Sequence, residues 1–281
     1  MESIVLRLVL PPLTVLAAGW LQRRVGPRLS GRLVGLPLTS GPLVLVLLLA
    51  HGTPTAAVAA QGVLAGQVMV VGFTTAYALG SAATTRLALV LGTALATVAA
   101  LGATAHLALE RAPWTVGLVV VPGALVALRL WRPEVGEVAA SGPSIPQLLV
   151  RAGVTGVLVA TLSTSARWIG AGLSGVLASV PLVIAVVTPG THRDAGAVTA
   201  RAMLRGTLTV VPGTATFAAV LALVLPSGSL LAFGAAVVAM LGVNRAVGAW
   251  DAVCRRPVPQ ARLRYRTVRG QIGLIHPRTV R

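Results

Sequence analysis

Apolar positions in this chain run together in long blocks, with no strict alternation of the kind a half-buried strand would need. Nine blocks of bilayer-crossing length follow one another, at about 3–21, 33–50, 56–80, 87–108, 114–131, 147–166, 173–190, 198–224 and 229–250. Inside lipid every backbone N–H and C=O must find its partner within the segment, so blocks of this length predict helices. The pattern therefore predicts an all-α polytopic membrane protein with about nine transmembrane helices. The first block could be mistaken for a cleaved signal peptide, but Glu2 and the lack of a small-x-small cleavage site argue for a retained helix.

Tryptophan supplies an independent check, because its ring prefers the boundary between lipid and water. Trp20, Trp114, Trp131, Trp168 and Trp250 all fall at predicted helix ends. Trp114 and Trp131 bracket the fifth block about 25 Å apart at 1.5 Å per residue, close to a bilayer core. Composition agrees: 56% of residues are hydrophobic, 10% are charged and the mean hydropathy is +0.87, too little polar surface to cover a soluble globule of this size.

The net charge of +17 comes from arginine alone, as the chain has no lysine. Between helices the arginines fall overwhelmingly on one side: Arg23, Arg24, Arg28 and Arg32, then Arg86, then Arg129 and Arg132, then Arg193, and finally the tail from Arg255 to Arg281. Arg7, Arg111 and Arg167 are on the other. Retention of positive charge in the cytoplasm predicts an outside N-terminus and a cytoplasmic C-terminus in a bacterial inner membrane, with the arginines against an anionic inner leaflet. No nucleic-acid-binding motif accompanies the charge, so nucleic acid is excluded as a partner.

Two stretches resemble each other. GRLVGLPLTSGPLVLV at 31–46 lies over GAGLSGVLASVPLVIA at 170–185 when Pro42 is matched with Pro181, and with one more residue of offset 57–78 lies over 197–218, pairing Gly66 with Gly206 and Thr74 with Thr214. With the fifth helix between two four-helix units, the second enters the membrane from the opposite side, which predicts inverted repeats. The expected divisions are a first repeat at 1–109, a linking helix and loop at 110–146, a second repeat at 147–250 and an arginine-rich cytoplasmic tail at 251–281.

The repeated stretch offers the first candidate site. GLPLTSGP and GLSGVLASVP carry glycine, proline and small hydroxyl residues, which either let neighbouring helices pack closely or interrupt a helix and free its backbone for a ligand. On the second reading Thr39, Ser40, Pro42, Ser179 and Pro181 bind a solute. A second candidate is the stripe Arg201, Arg205 and Thr209, one helical turn apart in succession. Its arginines could draw an anionic group inward or snorkel to head groups. Gln61, Gln67 and His106 are the residues expected to hydrogen-bond between helices.

Residues 147–250 resemble the GlpM family of small four-helix inner-membrane proteins, through STSARW, GAGLSGVLASVP and RDAGAVTARAMLRG. The first half resembles the same pattern more weakly. The resemblance implies two such units fused through an extra helix, and informs architecture more than activity.

Catalytic and metal chemistry find no support. Glu2, Glu110, Glu134, Glu137, Asp194 and Asp251 fall at predicted helix ends or loops, which disfavours a coupling mechanism built on a midplane carboxylate. The four histidines and Cys254 have no ligand spacing, so no metal or cofactor is expected. RDAGAVTARAMLRG lacks the aspartates of phosphoalcohol transferases, and no hydrolase or P-loop motif occurs. The expected function is a non-enzymatic transporter-like protein moving a small or amphipathic solute, anionic if the arginine stripe serves it. The competing reading is a non-transporting scaffold or accessory subunit of an envelope-biosynthesis complex. Homo-oligomerisation stays open.

Overall fold

The computed structural model describes residues 13–37 apart from 14, 18, 22 and 25, and residues 40–111, 113–131, 144–165 and 170–254. Predictions that fall on Thr39, on most of the first block, on the 132–143 link and on the tail beyond 254 lie outside the described residues. All regular structure among the described residues is helical. Described residues between 13 and 24 are helical, and after them come α1 (Pro27–Val34), α2 (Ser40–Ala83), α3 (Leu87–Arg111), α4 (Pro113–Leu130), α5 (Ile145–Ser165), α6 (Ala171–Ala178), α7 (Leu182–Val224) and α8 (Ser229–Cys254), with a short 3-10 turn at Leu225–Ser227.

Four helical stretches are long and apolar enough to cross a membrane, His51–Ala83, Leu87–Arg111, Gly172–Ser227 and Ser229–Val253, while Trp114–Leu130 and Ile145–Val154 are shorter apolar helices. The second and seventh predicted blocks are not single helices. α1 stops at Val34 and α2 starts at Ser40; α6 stops at Ala178 and α7 starts at Leu182. Pro37 and Pro181 sit in these two breaks. Proline lacks the N–H that would continue a helix and steers the residue before it, here Leu36 or Val180, away from helical geometry.

The predicted loops around 51–55 and 191–198 shrink to single residues. Gly52 (φ 80°, ψ 178°) and Gly196 (φ 81°, ψ 167°) are the only non-helical points inside α2 and α7. Each divides its helix into a short first limb and a long second limb. A side chain at such angles is strained by about 1–3 kcal/mol. Gly52→Ala and Gly196→Ala are therefore expected to lower the thermal midpoint in detergent. Gly92→Ala, inside α3 with open space around its Cβ position, is expected to be neutral or stabilising.

Glycines also recur at one spacing along the chain. Gly26 and Gly170 precede α1 and α6 with φ of 101° and 80°, and Gly52 and Gly196 follow, each pair 144 residues apart. Close approaches recur at the same spacing. A Cβ on Gly31 would meet the Met203 carbonyl oxygen and one on Gly175 that of Ala59; Gly206 abuts the Arg28 carbonyl and Gly62 that of Gly172. At this spacing Pro181 pairs with Pro37, whereas the sequence match pairs it with Pro42. Aligned this way, GPRLSGRLVGLPL at 26–38 lies over GAGLSGVLASVPL at 170–182.

In these contacts α1 packs on the long limb of α7, and α6 on that of α2. The pairings advance together along both partners. Gly175 meets Ala59 and Val63, Gly66 meets Ser179, and His192 meets Tyr77 with Nδ1 and Oη 3.1 Å apart. The two long limbs run antiparallel, since Arg201 near the start of one bonds Ser81 near the end of the other at 2.9 Å. The core between them contains Met69, Phe73, Tyr77, Met203, Leu204 and Leu221, all at most 1% exposed.

Candidate functional site

The two helix breaks meet at a cavity of about 60 Å³, several times the roughly 10–15 Å³ that one water needs. One wall is Val34 to Pro37 with Ser40; the opposite wall is Ala178 to Ile184. Gln67, Val70 and Thr214 close the sides from the long limbs of α2 and α7. These three lie near the midpoints of limbs running from 53 to 83 and from 197 to 224, so the cavity sits about halfway along both. The walls are themselves related by the 144-residue spacing: Val34, Gly35, Leu36, Pro37 and Ser40 face the equivalents Ala178, Ser179, Val180, Pro181 and Ile184.

Its polar side chains are the Gln67 amide and the hydroxyls of Ser40, Ser179 and Thr214. The Ser179 hydroxyl donates to the Val63 carbonyl at 3.0 Å, and Gln67 Nε2 reaches Ser179 Oγ at 3.4 Å, longer than the roughly 2.9–3.0 Å of a well-formed bond. The Thr214 hydroxyl is satisfied by carbonyls, of Gly35 at 3.0 Å and Val210 at 3.2 Å. The bond to Gly35 ties the end of α1 to α7.

Of the residues singled out from sequence, Ser40, Ser179 and Pro181 line the cavity. Pro42 lies in the first turn of α2, and Thr39 is outside the described residues. Arg201, Arg205 and Thr209 are not among the lining residues, and they do not act as one stripe. Arg201 Nη1 donates to the Ser81 carbonyl at 2.9 Å and reaches its hydroxyl at 3.3 Å. Arg205 is 5% exposed and bonds Asp251 Oδ1 at 2.6 Å, the Leu128 carbonyl at 2.9 Å and the Trp131 carbonyl. Thr209 donates to the Gly206 carbonyl at 2.6 Å and accepts from Arg32 Nε at 3.2 Å.

Sequence reasoning treated Gln67 only as a bond between helices and missed Thr214 and the Arg205–Asp251 pair. An amide midway along an apolar helix was the available signal for Gln67. A second ion pair was equally unforeseen: Arg151, 7% exposed on α5, meets Asp194 on α7, which also accepts from Gln147 at 3.3 Å. Among the described residues no cluster of histidine, cysteine and carboxylates could hold a metal.

No family model, curated protein or solved structure matches this chain. The resemblance to the GlpM family rests on its quoted motifs alone.

Proposed function

We propose that this is a non-enzymatic, transporter-like protein of a bacterial cytoplasmic membrane, in which two inverted four-helix units joined by a linking helix carry a small solute by alternating access. The N-terminus is outside and the arginine-rich tail lies on the anionic cytoplasmic leaflet. What carries this reading is the cavity, about halfway along both long limbs, where two equivalent helix breaks face each other. A pseudo-two-fold axis in the membrane plane provides two interchangeable half-gates around one site, and broken helices are tolerated at membrane depth where they line such a cavity. The antiparallel long limbs and the reciprocal packing of α1 and α6 support the inverted relation. The arginine asymmetry between loops supports the orientation.

The test is flux in proteoliposomes across a panel of small solutes. Purified protein is expected to accelerate entry of at least one solute over empty vesicles. Val70→Phe, which projects a ring into the cavity space, is expected to abolish that gain with the protein still eluting as a single species. Equal flux with and without protein across the panel overturns the transport reading.

A further inference from the structure

We infer that the cavity takes a small uncharged solute with a hydrogen-bonding group, recognised by Gln67 and Ser179. The inference rests on the reading of the cavity as a solute site and specifies its chemistry.

Charge comes first. Every described side chain lining the cavity is apolar, amide or hydroxyl. A charged solute at mid-depth would lose its hydration without gaining a counter-ion, a cost no small number of neutral hydrogen bonds repays. The nearby charges are committed elsewhere: Arg205 to Asp251, Arg151 to Asp194, Arg201 to Ser81 and Arg32 to Thr209.

Polarity comes second, and here the two halves differ. At the 144-residue spacing the equivalents of Gln67 and Ser179 are Val211 and Gly35. One end of the site therefore offers an amide and a hydroxyl; at the matching end Gly35 has no side chain and Thr214 is spent on the Gly35 and Val210 carbonyls, while Ser40 lines the wall beside Val34, Leu36 and Pro37. The long Gln67–Ser179 contact of 3.4 Å leaves the amide ready to exchange that partner for a ligand acceptor. A small neutral carbonyl, amide or hydroxyl compound matches this lining. An ion does not.

The test is cysteine protection, which reads occupancy apart from transport. In a Cys254→Ser background, Ser40→Cys is labelled with a small uncharged thiol reagent in the presence of acetamide, isobutyramide, glycerol or urea, or of acetate, phosphate, sodium or tetramethylammonium. Labelling is expected to be slowed by a neutral solute such as isobutyramide and left unchanged by the ions. Gln67→Leu is expected to weaken that protection at least about tenfold, and Gln61→Leu, outside the cavity lining, to leave it intact. Protection by ions as strong as by neutral solutes, protection indifferent to Gln67→Leu, or failure of every solute to protect overturns the inference. Protection without flux leaves the inference standing and removes the transport reading.

Discussion

Asp251→Ala is expected to destabilise the protein by about 3–5 kcal/mol, the range for stranding one partner of a buried ion pair. Asp251 is 2% exposed and Arg205 5%, so once the carboxylate is removed the guanidinium keeps its charge in the interior with only the Leu128 and Trp131 carbonyls as partners. Those carbonyls belong to the C-terminal end of α4, where a helix leaves acceptors without partners of its own and a cation is favoured. One side chain thus joins α4, α7 and α8. Arg205→Ala is expected to destabilise as well, because it removes the buried bond that the guanidinium makes to Asp251 and its ties to the end of α4. The double replacement Arg205→Met with Asp251→Leu is expected to recover much of the loss, because an apolar pair removes both desolvation costs. Unfolding in detergent followed by denaturant titration checks all three. A single Asp251→Ala within about 0.5 kcal/mol of the parent, the usual range for a surface substitution, would remove the assignment of this pair as a structural lock.

The same pair bears on mechanism. Arg201–Ser81, Arg205–Asp251 and Arg151–Asp194 all involve the stretch of α7 on either side of Gly196. At the 144-residue spacing Gln61 stands where Arg205 is, and Leu107 where Asp251 is. The end of the molecule around Gly52 therefore lacks this lock. In the alternating-access reading, the charged end is the one held shut by ion pairs, and opening it requires parting α8 from α7.

How much of this could be read from sequence follows from what each residue reveals. Helix positions were legible because lipid leaves the backbone few other options, and the third, fourth and ninth blocks lie within the apolar helices His51–Ala83, Leu87–Arg111 and Ser229–Val253. The breaks were half legible. Glycine, proline and serine together marked Ser40, Ser179 and Pro181, but not that Pro37 and Pro181 share the 144-residue spacing of the positive-φ glycines, because valine, alanine and leucine dominate both stretches. Gly52 and Gly196 carry that spacing, and positive φ cannot be seen in a sequence. Rotation about the helix axes was not legible either. The spacing of Arg201, Arg205 and Thr209 puts them on adjoining turns, yet they turn to Ser81, Asp251 and Arg32 respectively, and nothing in a helix apolar on all sides announces which neighbour each will meet.

The largest loss is expected where backbone touches backbone. Gly31 and Gly206 bring α1 against α7, and Gly62 and Gly175 bring α2 against α6; at each of the four, an added Cβ falls on a carbonyl of the opposing helix. Carbonyls cannot rotate away as a flexible side chain can, so the helices would have to separate. Small residues at such crossings supply the close van der Waals contact that associates helices in lipid, where the hydrophobic effect provides no pull. Gly31→Leu or Gly62→Leu is therefore expected to cost more than the roughly 1–3 kcal/mol of ordinary overpacking, and to yield protein that aggregates on extraction. Gly234→Leu, on α8 with nothing within 4 Å of its Cβ position, is expected to extract and elute like the parent. The comparison isolates helix crossing from loss of glycine as such. Because the crossings lie on both sides of the cavity, a milder widening should disturb the site before the fold: Gly62→Ala, if recovered as a single species, is expected to alter labelling at Ser40→Cys. Normal recovery of Gly31→Leu and Gly62→Leu with unchanged labelling would show that the two halves are not held together by these contacts.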